Sequence, residues 1–158
     1  MRVIGVVGES DAGKTTLVER VVPILGERGR VVTVKSIHHD IEIDEEGTDT
    51  HRHRTAGAGK VVGVTPSLTF SIEPGGKDDV GEERALDRVL RRLDREGFDY
   101  VLVEGFTDAA VPKIAVGDGR SVGTGEVVRR VPDAESVDLR AVVDDLDRLA
   151  AWSPGADR

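Results

Sequence analysis

The sequence predicts an α/β fold in which a mostly parallel sheet carries helices on both faces. Three observations lead there. Short apolar runs rich in Val and Ile, RVIGVV at 2–7 and DYVLV at 99–103, have the pattern of strands buried on both sides. Segments with apolar residues at helical spacing alternate with such runs, as expected of parallel strands joined by crossover helices. At 158 residues the chain has the size of one domain, and folding would remove roughly two-thirds of its surface from water.

The elements follow in order. Arg2 to Val7 is the first strand. Thr15 to Arg28 reads as a helix with Leu17, Val21, Val22 and Leu25 on one face, and Pro23 inside it is expected to kink or break it. Arg30 to Lys35 is a second strand, Ser36 to Gly47 is polar and irregular, and Thr48 to Ala58 reads as a short helix. Lys60 to Val64 and Ser67 to Ile72 read as two more strands around Thr65-Pro66, before a loop from Glu73 to Gly81. In the helix Glu82 to Glu96, the residues Leu86, Val89, Leu90 and Leu93 make one apolar stripe. Gly97 stops it, and Asp99 to Val103 is the next buried strand. Lys113 to Val116 reads as one more strand, and Gly117 to Gly125 as a glycine-rich loop expected to be mobile. Asp138 to Trp152 is the last helix.

Composition narrows the chemistry. Lys and Arg number 22 against 30 Asp and Glu, a net charge of -8, which argues against a general binder of nucleic acid or acidic membrane. Cys is absent, excluding a disulfide framework, a thiolate zinc site and a cysteine nucleophile. No apolar run approaches the roughly 20 residues of a membrane span. The opening MRVIGVVGES lacks the basic region and cleavage site of a signal peptide, so a soluble cytoplasmic protein is expected. The chain holds 17 Arg against 5 Lys and neither Asn nor Gln, a bias shared by salt-accumulating halophiles and by high-GC genomes.

Gly8-Glu9-Ser10-Asp11-Ala12-Gly13-Lys14-Thr15 fits the pattern G-x-x-x-x-G-K-[ST] at every fixed position. Gly8 and Gly13 allow the backbone to curl so that successive N–H groups face phosphate oxygens. Lys14 would neutralise the β- and γ-phosphates, the Thr15 hydroxyl would bind Mg²⁺, and the following helix aims its positive end at the same anion. The strand before the motif and the helix after it are the context that the pattern needs, so a P-loop nucleoside triphosphate site is expected. Asp99 to Gly105 is an apolar strand ending in Glu104, the form of the acid that holds Mg²⁺ directly or through water in such enzymes.

Two further segments carry polar chemistry. Ile37-His38-His39-Asp40 follows the second strand at the carboxyl edge, where α/β sheets place ligands. Asp40 is the candidate acid there, for metal or for orienting water, and His38 or His39 could meet a substrate or phosphate. Thr48 to Arg54 packs His51, Arg52, His53 and Arg54 together. The i, i+2 spacing of the two His disfavours a chelating pair on a helix, and Arg52 and Arg54 are better read as phosphate ligands. On the helix Glu82 to Glu96, Arg88, Arg91, Arg92 and Arg95 form a ridge, either a docking surface for an acidic partner or a solvated face flanked by Asp87 and Asp94.

Together these residues resemble the molybdopterin-guanine dinucleotide biosynthesis protein B (MobB) family. The resemblance rests on GESDAGKTTL at 8–17, KSIHHDIEID at 35–44, DTHRHRTAGA at 49–58, VEGF at 103–106 and VPKI at 111–114. It covers about the first 115 residues of a chain expected to be a single nucleotide-binding domain, with a divergent tail from 116 to 158. Ser36 and Thr107 stand where the family commonly has basic residues, and an Asn-Lys-x-Asp guanine motif is excluded by the lack of Asn.

The resemblance implies a homodimeric GTP-binding protein with weak GTPase activity. It would assist the MobA-type guanylyltransferase that attaches GMP to molybdopterin. By position, Gly8 to Thr16 would hold phosphates, Asp40 and Glu104 would lie near Mg²⁺, and His38, His39, Arg52 and Arg54 would line the adjacent surface. Lys14 and Asp40 would be the catalytic residues. Two other readings stay open, a metallochaperone-type GTPase served by the His segment and a small-molecule P-loop kinase with Asp40 as base.

Overall fold

The computed structural model describes residues 1–118 and 122–154. In chain order the elements are β1 (Arg2–Val7), α1 (Lys14–Gly26), β2 (Val31–Lys35), α2 (Asp49–Thr55), β3 (Val61–Val64) and β4 (Thr69–Ile72). There follow α3 (Lys77–Val80), α4 (Glu82–Arg95), β5 (Tyr100–Glu104), β6 (Lys113–Val116), β7 (Val127–Val131) and α5 (Leu139–Arg148). They form two compact units: Met1–Ser36 with Gly81–Arg158, and Ile37–Val80.

The first unit is built on a five-stranded sheet in the order β2-β5-β1-β6-β7, every neighbouring pair parallel. Pleating divides its side chains between two cores. Ile4, Val6, Tyr100, Leu102 and Ile114 pack with Leu17, Val21 and Leu25 of α1 and Val142, Val143 and Leu146 of α5. Val3, Val101 and Val103, turned the other way, pack with Leu86, Leu90 and Leu93 of α4. The expected architecture, helices on both faces of a mostly parallel sheet, is the one observed.

Several expectations need correction in detail. Val89 stays 38% exposed, so the buried stripe of α4 is Leu86, Leu90 and Leu93. The arginine ridge on this helix is partly neutralised, because Arg91 pairs with Asp87 at 2.7 Å and Arg92 with Glu96, the C-cap, at 2.8 Å. Helix α1 runs from Lys14 to Gly26 through Pro23 without a break, although Pro23 has no N–H to give to the carbonyl four residues before it. Residues 127–131 form an unforeseen edge strand, β7. The loop expected from Glu73 to Gly81 contains the single turn α3. Helix α5 ends at Arg148, short of Trp152, and Asp138 caps it by accepting from the Arg140 and Ala141 amides at 3.0 and 3.3 Å. Of the Gly117–Gly125 loop, residues 119–121 lie outside the described residues.

The second unit holds α2 and a separate antiparallel hairpin of β3 and β4, with Val61 opposite Ile72 and Val64 opposite Thr69. These two strands therefore do not extend the parallel sheet. Asp44 is buried and accepts from the hydroxyls of Thr48 and Thr50 at 3.0 and 2.7 Å. Thr48 in turn caps α2 by accepting from the His51 amide at 3.4 Å.

Candidate functional site

In the first unit the loop between β1 and α1 is shaped by close approaches. A Cβ on Gly8 would lie 2.4 Å from the Val116 carbonyl oxygen, which excludes any side chain there. Gly13 sits at φ 91 as the N-cap of α1, leaving the first amides of the helix facing outward at the loop. Asp11 adopts φ 60, a left-handed conformation that Asp tolerates better than most residues and that a tight turn imposes. The Lys14 ammonium folds back over the loop, donating to the Gly8 carbonyl at 3.1 Å and the Glu9 carbonyl at 2.5 Å. A ring of amides, a helix amino end and one ammonium make a concave anion receptor.

Beside it, β5 delivers Glu104. The Thr15 hydroxyl donates to Glu104 Oε1 at 2.9 Å, and the Lys35 ammonium donates to the same oxygen at 2.9 Å. The register of the parallel pair β2·β5 sets Lys35 directly against Glu104. Backbone bonds fix the acid further, from the Ser36 amide to the Glu104 carbonyl at 2.9 Å and from the Gly105 amide to Val6 at 3.2 Å. A hydroxyl that gives its proton to a carboxylate keeps its lone pairs for a cation, so Thr15 and Glu104 together suit a hard divalent metal such as Mg²⁺. A cleft of about 390 Å³ opens here, lined by Thr15, Glu19, Thr33, Lys35, Glu104 and apolar side chains of α1 and β2.

The carboxyl-terminal third supports the same loop. Ala134, just after β7, lies 3.0 Å from where a Gly13 Cβ would stand, and the Arg20 guanidinium of α1 donates to the Ala134 and Glu135 carbonyls. Lys113, at the start of β6, is fully buried. Its ammonium donates to the Thr107 and Ala109 carbonyls at 2.8 and 2.7 Å, holding the segment that follows Glu104. Burial lowers the Lys113 pKa, and the nearby Asp108 charge works against that shift.

The remaining candidates belong to the second unit. His38, His39 and Asp40 are exposed in an irregular stretch, and none makes a hydrogen bond or ion pair with a described residue. Arg54 of α2 pairs with Glu42 at 2.8 Å, which ties the stretch after Asp40 to the helix. Arg52 pairs with Asp49 at 3.5 Å and remains 72% exposed. Among the described residues no group of three or more His, Asp or Glu side chains is arranged to hold a metal ion. Also among the described residues, no helix is long and apolar enough to cross a membrane.

Thus the structure joins Thr15 with Glu104 and places Lys14 on the loop. Lys35 was missed by sequence reasoning as a partner of this acid. Its signal was available, a lysine closing one strand while an acid closes another, but strand adjacency is not written in a single sequence. Lys113 was missed because a lysine opening an apolar strand reads as its solvent end.

Comparison with known proteins gives a consistent family. A family model described as molybdopterin guanine dinucleotide synthesis protein B (MobB) matches residues 3–145. That match runs past residue 115 and into α5. The chain is 34% identical over 112 residues to a molybdopterin-guanine dinucleotide biosynthesis adapter protein of Haemophilus influenzae, covering 70% of this chain and 60% of that protein. It is 34% identical over 108 residues to the adapter protein of the same description from Escherichia coli, covering 68% of this chain and 60% of that protein. The chain therefore spans only 60% of the length of each of these curated relatives. The crystal structure of Bacillus subtilis MobB shares the fold, with a TM-score of 0.66 at 21% identity over 92% of this chain and 98% of that one.

Proposed function

This chain belongs to the MobB family, and from that premise we propose that it is a GTP-binding adapter of molybdenum-cofactor maturation. The observation that carries the reading is the hydrogen bond between Thr15 and Glu104 beside the Lys14 loop. It supports a site for a nucleoside triphosphate with its metal. The loop amides and Lys14 bind the phosphates, and Thr15 with Glu104 holds Mg²⁺. Bound there, Mg²⁺ would add positive charge where the terminal phosphates gather negative charge.

The choice of guanine rests on the family. The chain has no Gln to orient an attacking water, so hydrolysis is expected to be slow, with Asp40 as the proposed water-orienting acid. Arg52 and Arg54 are proposed phosphate ligands, and His38 and His39 proposed polar contacts for a phosphorylated substrate. The chain is proposed to act in the cytoplasm as one nucleotide-binding domain and as a homodimer. Its proposed partners are a MobA-type guanylyltransferase and molybdopterin.

Reconstitution tests this. Purified guanylyltransferase, molybdopterin and Mg²⁺·GTP are combined with or without the chain, and the guanine dinucleotide cofactor formed is measured. The reading expects higher yield with the chain and no gain with Lys14→Ala. Equal yields in all three would refute it.

A further inference from the structure

We propose that Lys35 is a built-in competitor for the divalent cation at Glu104. This rests on the reading of Thr15 and Glu104 as metal residues given above. The Lys35 ammonium and the Thr15 hydroxyl both donate to Glu104 Oε1, each at 2.9 Å. Glu104 is only 12% exposed, whereas the Lys35 side chain is 55% exposed. The acid is therefore held and the lysine is free to leave.

An ammonium and a divalent cation cannot share that oxygen at low cost. Both are positive, and a metal bound to either oxygen of the carboxylate stands within a few ångströms of the ammonium. Lys35 supplies the counter-charge of a partly buried acid whose other side-chain donor is the neutral Thr15 hydroxyl. When the cation arrives, the lysine gives up the carboxylate and its long stem swings toward solvent at little cost in burial. The Lys35 ammonium already lines the cleft together with Thr15, Glu19 and Glu104, and on release it ceases to neutralise Glu104 there. Lys35 thus makes metal binding weaker in the free protein.

The test uses the full chain without nucleotide. Mn²⁺ is titrated into wild type, Lys35→Met, Lys35→Arg and Lys35→Met/Glu104→Gln, and free Mn²⁺ is followed by electron paramagnetic resonance at low salt. Thermal melts confirm that each variant is folded. Lys35→Met is expected to bind Mn²⁺ about tenfold more tightly than wild type, because one positive charge beside the metal has gone. Lys35→Arg should stay near wild type, and the double variant should lose the gain. Equal or weaker binding by Lys35→Met would overturn the proposal, as would a gain that survives Glu104→Gln. If no folded chain binds Mn²⁺ without nucleotide, this proposal falls, while the metal reading, which concerns the nucleotide complex, is decided separately by Glu104→Gln with Mg²⁺·GTP. A chain preferring ATP to GTP would refute the guanine assignment and leave this result untouched.

Discussion

Thr15 and Glu104, 89 residues apart in sequence, meet through a hydrogen bond of 2.9 Å from the threonine hydroxyl to the carboxylate. The contact joins the first turn of α1 to the end of β5, and it exists because β1 and β5 are parallel neighbours whose carboxyl ends lie side by side. Glu104→Gln keeps the shape and removes the charge. Nucleotide affinity measured with Mg²⁺ should fall about 10- to 100-fold, the usual effect of losing such a metal-supporting group. Affinity measured with EDTA should change little. An equal loss in both conditions would show that Glu104 acts on the nucleotide rather than on the metal.

Lys113 is the one fully buried lysine among the described residues, and its ammonium holds the Thr107 and Ala109 carbonyls after β5. Lys113→Met fills a similar volume and leaves those carbonyls unpaired, so stability to urea should fall by about 1–3 kcal/mol. An unchanged unfolding midpoint would mean that water or a shifted loop replaces the ammonium.

Asp147 of α5 accepts from the Tyr100 hydroxyl at 2.7 Å and from Arg28. The tyrosine hydrogen bond lowers the Asp147 pKa most, burial opposes it, and the Arg28 hydrogen bond and charge add to the lowering. The folded value is below the unfolded one, so the stabilisation is present at neutral pH. It begins to fade as pH falls below the ordinary carboxylate range near about 3.9 and is gone below the folded value. Melting temperatures from pH 7 to pH 2 should show a shallower acid loss in Asp147→Asn than in wild type. Parallel curves would contradict the assignment.

Helix α4 separates burial from charge. Leu90→Ala removes a side chain that is 2% exposed and should cost about 2–5 kcal/mol in chemical denaturation. Arg91→Ala removes a half-exposed ion pair with Asp87 and should cost no more than about 1 kcal/mol. A large loss from Arg91→Ala would show that the pair with Asp87 is structural and not merely a solvated contact.

The parts that could be read from sequence were those with dense local signals. RVIGVV followed by GESDAGKT announces a strand, a loop and a helix within a few residues, and all three are where the spacing put them. Strand β7 escaped because VVRRV carries adjacent arginines. It lies at the sheet edge, where Arg129 turns to Asp145 of α5, so no apolar alternation marks it. The hairpin strands were legible as strands, but nothing local says which sheet a strand joins. Glu104 was legible as a strand-end acid, while its second partner Lys35 depended on the register of β2 against β5. The aspartate that organises the amino end of α2, Asp44, was hidden among neighbouring acids and appears only through the hydroxyls of Thr48 and Thr50.

The central claim is a metal-dependent guanine nucleotide site on the loop of Lys14. Calorimetric titration of GTP and of ATP, each with Mg²⁺ in high KCl, tests it most directly, with Lys14→Ala as the control. The account predicts clear preference for GTP and loss of that binding in Lys14→Ala. Preference for ATP, or GTP binding that survives Lys14→Ala, would contradict it.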